Sequence, residues 1–200
     1  MRIEVAGRYA GPPAMGHGGY VAGLFAAWAK GAVQVTLRRP TPLDTPLELR
    51  DAGDGCLELW CGTELLAESE PCDLAIDVPP PPSPAAARAA QAGSPSYYGE
   101  SGVHPICFGC GVHRPGGEGL GITVGPLEAG GVEQVAAVWR PDPRLAGADG
   151  LVGAQWVLAA LDCPGAFAFI ARGTPAGLLG RIAFEQTGEV HAGAPRVRDL

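Results

Sequence analysis

Lysine is almost absent from this chain, which has a single one, Lys30, and a formal net charge of −7. Proteins that bind the phosphate backbone need a surplus of Lys and Arg, because much of their affinity comes from displacing counterions around the phosphates. An acidic chain lacks that surplus. The composition therefore argues against nucleic acid as a partner.

Long apolar runs are also missing, since no stretch approaches the roughly 20 consecutive apolar residues that a membrane span needs. The first four residues, Met-Arg-Ile-Glu, do not begin the basic segment and apolar run of a secretory signal, so the expected location is the cytoplasm. In that compartment we expect the six cysteines to be mostly thiols. The 46% of hydrophobic residues are still enough to build a core, which predicts a soluble, folded chain.

A proline run, PPPPSP at 79–84, is the clearest boundary in the chain. Such a run is an extended and semi-rigid spacer, and small residues continue the connection after it. We therefore predict a first half over residues 1–78, a linker over 79–103 and a second half over 104–200. Residues 85–92 (AAARAAQA) suit a short helix within the linker, because alanine has the highest helix propensity.

One helix followed by several strands is predicted in the first half. Residues 20–30 (YVAGLFAAWAK) place apolar side chains three and four positions apart, and Gly31 stands where a helix C-cap is expected. This pattern is typical of a buried helix, with Trp28 in the core. Apolar and polar residues then alternate, with Gly and Pro as punctuation, which indicates four or so antiparallel strands. The alternating positions are Val33, Val35, Leu37, Leu47, Leu49, Leu57, Leu59, Cys61, Leu65 and Ala67.

The same order recurs after the linker, which indicates a repeat. Residues 150–160 (GLVGAQWVLAA) align without gaps on 19–29 (GYVAGLFAAWA), and 181–198 align on 33–50. Trp156 is thereby expected in the core of the second half. The first half continues past this alignment into further strands, so we expect a second half that lacks its last strands and exposes a sheet edge.

Two segments carry a resemblance to a known family. The first is GHGG at 16–19, which leads into the helix and is followed by the strand at 33–40 and the turn PLDTP at 42–46. The second is CFGCG at 107–111, with GLGI at 119–122 shortly after it. In these segments the chain resembles the hotdog-fold acyl-CoA thioesterase superfamily.

The resemblance implies an α+β fold, a tandem hotdog in which an antiparallel sheet wraps around a central helix in each half. The family usually has Asn-Pro between the CFGCG and GLGI segments, whereas this chain has Arg114 and Pro115. The resemblance also implies that an acyl-CoA or other acyl thioester is bound, with its acyl chain along the interface between the halves. It is compatible with a homodimer.

Glycines before the two helices are expected to bring a thioester carbonyl close to backbone N–H groups. The N-terminal end of a helix carries partial positive charge and stabilises an oxyanion. Gly18, Gly19 and Gly150 lack a Cβ and allow that approach. Asp149 precedes Gly150 and completes the predicted substrate-binding set, either as the N-cap that aspartate favours or as an acid in the chemistry.

Asp162 is the residue that we predict to act as a general base. It is expected at the end of the second helix, where Pro164 stops the helix and the dipole disfavours a carboxylate. In double-hotdog medium-chain acyl-CoA thioesterases, which the chain resembles, an aspartate on the second-half helix activates water, assisted by a Thr or Ser and a Gln. Asp162 is the matching position, and Thr174, Gln186 and Thr187 are available as helpers. The alternative is that Asp162 caps the turn after the helix.

Histidine and cysteine supply further candidates. His17 directly precedes the first helix, so it is either a second catalytic residue that contacts the substrate or a loop histidine that bonds local backbone. Cys107 and Cys110 form one C-x-x-C, and His104 and His113 lie near it in sequence, so a zinc site must be considered. There is no second C-x-x-C at ribbon spacing, and the family segment carries these cysteines without metal. We therefore expect no metal and no cofactor.

The leading hypothesis for function is hydrolysis of a fatty or small acyl-CoA thioester by water that Asp162 activates. One alternative is a hotdog protein that binds acyl-CoA or lipid without turnover. Enoyl hydratase or dehydratase chemistry is disfavoured, because there is no Asp-x-x-x-x-His arrangement and the first helix has no acidic residue. An interaction module built on the proline run is a further alternative, although a spacer explains that run equally well.

Overall fold

The computed structural model describes residues 1–95, 105–114, 118–129, 132–193 and 196–199. Within them the helices are α1 (Gly18–Ala26), α2 (Pro84–Ala92) and α3 (Ala154–Ala171). The strands are β1 (Arg2–Ile3), β2 (Val33–Leu37), β3 (Leu47–Gly53), β4 (Cys56–Cys61), β5 (Glu64–Pro71), β6 (Gly125–Ala129), β7 (Val132–Trp139), β8 (Arg181–Phe184) and β9 (Arg196–Asp199). This combination of helices with antiparallel strands confirms the predicted α+β class.

The larger sheet has six strands in the order β1-β3-β4-β5-β2-β8, and every neighbouring pair is antiparallel. Strands β2 to β5 are the strands predicted from the period-two pattern. In β3, Leu47 and Leu49 are buried while Glu48 and Arg50 are exposed, as alternation across a half-buried sheet requires. The sheet is extended at β2 by β8, which comes from the far end of the chain.

Helix α1 lies against the buried face of this sheet. Phe25 and Val21 on the helix pack in one core with Val35 and Leu59 of the strands, and all four are at most 1% exposed. Full burial of a phenylalanine side chain stabilises a fold by about 1.5–3 kcal/mol. The hydrophobic face of α1 therefore fixes the helix on the sheet.

The prediction for the end of this helix was wrong. Helix α1 ends at Ala26 with Ala27 as its C-cap, and Gly31 lies outside it. The N–H of Trp28 bonds to the carbonyl of Phe25, which closes a tighter final turn. Trp28 is 60% exposed rather than in the core, because it lies beyond the last residues that face the sheet.

Helix α3 crosses α1 at very short distance, which two glycines on α1 make possible. A Cβ on Gly23 would lie 2.3 Å from the Cα of Gln155, and one on Gly19 would lie 2.5 Å from the carbonyl oxygen of Leu158. By length and composition α3 is also apolar enough to cross a membrane, a test that core helices pass as well. Here it packs on α1 and β7.

The smaller sheet, β6-β7-β9, is covered by α2. The helix predicted in the linker is confirmed, but it belongs to the packed structure rather than to a free spacer. Ala87 and Ala90 pack against Ala136 of β7, and the Gln91 side chain accepts a hydrogen bond from the N–H of Val138 at 3.1 Å. A Cβ on Gly125 would lie 1.7 Å from the Ala90 carbonyl oxygen, so β6 needs glycine there.

A group of aromatic rings joins the core between α1 and the larger sheet to a second core, between α3 and β7. Trp156 packs against both of them, which confirms its predicted place in the core. Its ring centroid lies 5.3 Å from those of Tyr9 and Tyr20 and 6.0 Å from that of Phe108. Residues from the start, middle and end of the chain thus meet in one cluster close to the N-terminus of α1.

Candidate active site

The N-terminus of α1 is built as a rigid platform. His17 is its N-cap, with its own N–H bonded to the Tyr9 carbonyl at 2.8 Å and its Nδ1 accepting the N–H of Tyr20 at 3.3 Å. The ring is 2% exposed. Gly18, the first helical residue, faces a cavity, and its N–H makes no hydrogen bond within the described part of the chain. One donor at the positive end of the helix is therefore free for a ligand.

Asp162 lies directly opposite this platform. Its Oδ2 accepts the N–H of Gly19 at 2.7 Å and is 3.7 Å from Nδ1 of His17. No donor among the described residues bonds to Oδ1, and the side chain is 16% exposed. The carboxylate is therefore oriented through one oxygen and has the other available.

The expectation that Pro164 ends the helix after Asp162 was wrong. Helix α3 runs through the proline to Ala171, so Asp162 lies in the middle of a helix and caps no turn. A proline inside a helix costs about 3 kcal/mol or more. The apolar neighbours Ala160, Cys163 and Phe167 are buried on both sides of it, and this packing holds the helix together.

Burial and charge act in opposite directions on the two facing groups. Burial raises the pKa of Asp162, while the His17 ring and the Gly19 N–H lower it and charge on Cys107 raises it again, with a net increase. Burial alone would lower the pKa of His17, but a hydrogen bond with Cys107 and the charge of Asp162 outweigh it, and the pKa is raised. Each group thus favours its partner's charged form.

Two buried thiols, those of Cys107 and Cys163, adjoin the same histidine, and that of Cys110 is buried in the same cluster. His17 Nε2 lies 3.4 Å from Sγ of Cys163, which lies 3.8 Å from Sγ of Cys107. Hydrogen bonds from Cys110 and Cys163 lower the pKa of Cys107, and bonding to Cys107 correspondingly raises the pKa values of Cys110 and Cys163. We call these four residues the thiol cluster.

A cavity of about 350 Å³ opens beside Asp162 and the thiol cluster. Most of its wall is apolar, with Val21, Leu37, Phe167, Ile170, Leu178 and Leu179 among the lining residues. Arg38 and Arg39 also line it and are half or more exposed; Arg38 bonds to Glu68 and Arg39 lies 3.4 Å from Glu64. The cavity suits a ligand with an apolar chain and an anionic end.

The predicted site residues divide into two groups. His17, Gly18, Gly19 and Asp162 are brought together at the N-terminus of α1. Asp149 and Gly150 are not, because α3 begins at Ala154 with Gly153 as its N-cap.

Asp149 does not cap that helix. It is exposed and accepts the N–H of Leu151 at 3.0 Å in a local turn. Gly150 occupies the left-handed region of that turn at φ +77°. The suggested helpers Thr174, Gln186 and Thr187 do not line the cavity.

The sequence did not reveal that Cys163 lies beside His17, or that Arg38 and Arg39 line the cavity. Cys163 is brought to His17 only because α3 crosses α1, a contact without a local sequence signal. His113, considered as a partner of the C-x-x-C, is exposed, and His104 lies outside the described residues. The adjacency of Asp162 and Cys163 was visible, but their shared surroundings were not.

Comparison with known proteins shows the fold. No protein-family model matches the chain, and no curated protein matches it. Among solved structures it is similar to the Mycobacterium avium subs paratuberculosis tesB protein MAP1729c, with 16% identity, 99% of this chain and 78% of that chain covered, and a TM-score of 0.58.

Two other solved structures are similar over most of their length. One is a candidate thioesterase from Novosphingobium aromaticivorans, with 16% identity over 99% of this chain and 81% of that one, at TM-score 0.51. The other is a conserved protein of unknown function with the hot dog fold from Alicyclobacillus acidocaldarius, with 15% identity over 94% and 73% of the two chains, at TM-score 0.52. The chain therefore has the hotdog fold.

Proposed function

We propose that this hotdog-fold chain hydrolyses an acyl-CoA thioester with water activated by Asp162. The observation that carries the proposal is the juxtaposition of an oriented buried carboxylate and a free helix N–H on one apolar cavity. A general base and an oxyanion donor are the two groups that acyl transfer to water needs. The thioesterase-like neighbours support the same reaction class.

The reaction follows from this arrangement. Oδ1 of Asp162 takes a proton from water as the water oxygen attacks the thioester carbonyl carbon. The negative charge that develops on the carbonyl oxygen is stabilised by the N–H of Gly18, at the positive end of α1. Collapse of the intermediate breaks the C–S bond, and the thiolate leaves with the proton held by Asp162. The products are a carboxylic acid and the free thiol.

His17 is a positioning residue in this scheme rather than an acid or base. Its Nδ1 holds the N–H of Tyr20, and the same atom lies 3.7 Å from Asp162. The ring is buried, and its Nε2 lies 3.4 Å from Sγ of Cys163. It fixes the first turn of α1, on which the Gly18 donor depends.

An acyl-CoA matches both ends of the cavity. The apolar wall takes an acyl chain, and burial of each methylene is worth about 0.8 kcal/mol. The guanidinium groups of Arg38 and Arg39 at the edge can pair with the phosphates of the nucleotide. A fatty or medium acyl group would use this wall better than an acetyl group.

We further propose the tandem arrangement, with halves at 1–78 and 104–200 joined by 79–103. A 3-10 turn, an isolated bridge and a helix start recur at one constant spacing, which is five residues longer than that of the alignment of 150–160 on 19–29. They are Gly7–Tyr9 and Pro143–Leu145, Ala10↔Gly16 and Ala146↔Val152, and the starts of α1 and α3. The antiparallel pairing of β2 with β8 is the contact expected between equivalent strands of two related halves. The cytoplasmic location and a homodimer stay predictions.

A second candidate function is acyl-CoA binding without turnover. It is favoured by one observation, that none of Thr174, Gln186 and Thr187 lines the cavity beside Asp162. The same cavity and arginines would then hold the ligand, and Asp162 would only fix the helix pair through Gly19. The two candidates differ in product formation and share a binding site.

The decisive experiment measures free thiol released from a panel of acyl-CoAs of increasing chain length. Asp162→Asn keeps the size of the side chain but removes the base, so kcat should fall by about 10²- to 10⁴-fold. Asp77→Asn, at an exposed aspartate outside the cavity, is the matched control and should leave kcat unchanged. Circular dichroism verifies that all three proteins are folded.

Equal turnover by the wild type and Asp162→Asn would refute Asp162 as the base. If the folded wild type releases no thiol but binds a non-hydrolysable acyl-CoA thioether, measured by calorimetry, the binding function replaces the hydrolase.

A further inference from the structure

The three cysteines of the thiol cluster have no part in the proposed hydrolysis, and His17 enters it only by positioning the first turn of α1. Its four members, His17, Cys107, Cys110 and Cys163, are each at most 7% exposed. Among the described residues, Tyr20 and Asp162 face Nδ1 of the histidine, and Cys163 faces Nε2 at 3.4 Å, with the Sγ of Cys107 within 4.8 Å of both ligand atoms. Three thiols and an imidazole gathered from three parts of the chain are the donor set of a structural zinc site.

The interatomic distances agree with one tetrahedral ion. Zn–S bonds of about 2.3 Å and Zn–N bonds of about 2.0–2.1 Å place two sulfurs about 3.8 Å apart and a sulfur and nitrogen about 3.6 Å apart. The corresponding distances here are 3.8 Å between Cys107 and Cys163 and 3.4 Å between Cys163 and His17. All three ligand atoms lie within 4.8 Å of one another. Cys110, the other cysteine of the C-x-x-C, is buried in the same cluster and lines the same cavity as Cys107 and Cys163, and it is the remaining candidate for the fourth donor.

Two glycines of the C-x-x-C segment, Gly109 and Gly111, shape the backbone around the candidate metal ligands. The N–H of Gly111 bonds to the Cys107 carbonyl at 2.8 Å and closes a turn that contains both cysteines of the motif. A Cβ on Gly109 would lie 2.5 Å from Sγ of Cys163 and 2.7 Å from Nε2 of His17. Glycine at that position keeps the space between the donors open.

We propose that Nε2 of His17 and the Sγ atoms of Cys107, Cys110 and Cys163 bind one zinc ion in a closed structural site. With the ion on Nε2 the imidazole proton is on Nδ1, where it faces Asp162 Oδ2 at 3.7 Å, and the ion then fixes the ring in place of the bond from the Tyr20 N–H. Soft thiolate donors select zinc over magnesium or calcium. The ion ties the N-cap of α1, the C-x-x-C turn and α3 to one point, directly beside Asp162. No metal was expected, because a second C-x-x-C is missing and the family segment carries these cysteines without metal. The further ligands proposed here, His17 and Cys163, lie far from the C-x-x-C along the chain.

The test uses the full chain, expressed with zinc and analysed for metal by mass spectrometry after removal of loose ions. We expect one zinc per chain, and thiolate-to-cobalt charge-transfer absorption after exchange for Co²⁺. Cys163→Ser should lose most of the bound metal. Cys72→Ser is the matched control, because Cys72 is partly exposed and is not in the thiol cluster. This variant should keep its zinc.

A second readout does not depend on how well the variant folds. A strong chelator should lower the Tm of the wild type and of Cys72→Ser, because an ion bound only to the folded state stabilises it. The zinc-loaded wild type should also protect three of its six cysteines from alkylation. Less than half an equivalent of zinc, a cobalt complex without charge transfer, or a Cys107–Cys163 disulfide in freshly alkylated protein would each overturn the proposal. None of these measurements uses thioester hydrolysis, so they stand or fail independently of it.

Discussion

Asp162 is oriented by a backbone group and not by another side chain. The Gly19 N–H bonds to its Oδ2 at 2.7 Å, and hydrogen bonds to charged groups contribute about 1.5–3 kcal/mol. A Cβ on Gly19 would lie 2.6 Å from the Cβ of Asp162. The same glycine therefore supplies the donor and the room that the carboxylate occupies.

The cavity edge yields a prediction about a single arginine. Arg39→Ala should raise KM for an acyl-CoA by about two- to fivefold, because an exposed ion pair is worth about 0.2–1 kcal/mol. The same change should leave KM unaltered for the matching acyl-pantetheine thioester, which lacks the nucleotide phosphates. Arg144→Ala, at an exposed arginine outside the cavity, serves as control. Equal effects on both substrates would show that Arg39 acts on packing and not on phosphate.

Between elements, the crossing of α1 and α3 depends on the absence of a side chain. Gly23→Ala would place a methyl group 2.3 Å from the Cα of Gln155 and push the helices apart. We expect a loss of about 1–3 kcal/mol in the free energy of unfolding, as for other overpacked cores. Urea denaturation monitored by circular dichroism measures it.

The matched control for this change is Gly165→Ala. Gly165 is in α3, is exposed, and has open space where its Cβ would be. Alanine there should stabilise the protein by about 0.5–1 kcal/mol through helix propensity. If both variants were destabilised alike, close helix packing would not explain the Gly23 result.

Features that depend on residues close together in sequence were predicted correctly, and features that depend on contacts between distant residues were not. Strands β2 to β5 were predicted because alternation is a local signal, and the hotdog fold followed from short motifs around His17 and Cys107. The C-terminal end of each helix was predicted wrongly. Helix α3 continues past Pro164 because buried neighbours pack around it, and α1 ends before Gly31. Asp149 looked like a cap only because the start of α3 was placed too early. Cys163 was overlooked because its partners lie far away in sequence.

For the molecule as a whole, the proposed repeat supplies two helix N-termini but only one complete site. The N-cap of α1 is His17, whereas the N-cap of α3 is Gly153, which has no side chain to bond the first turn. The position of α1 that matches Asp162 at the constant spacing is Ala26. One active site per chain is therefore expected, at the N-terminus of α1.

The two proposed halves should also unfold together. They share the α1–α3 contact, the β2–β8 pairing and the aromatic group around Trp156. We expect one urea transition with the same midpoint whether the probe is far-ultraviolet circular dichroism, tryptophan fluorescence or hydrogen exchange of β4 and β7 amides. A transition in which β7 exchanges at lower urea than β4 would mean that the halves are independently stable.

The pairing of β2 with β8 also sets an order for synthesis on the ribosome. Residues 33–36 are made and leave the exit tunnel well before their partners at 181–184. Until then one edge of β2 is open to other strands, including those of neighbouring nascent chains. Pairs so distant in sequence also form slowly. A chaperone that shields this edge of β2 until β8 is made is therefore expected to raise the yield of folded protein in a cell.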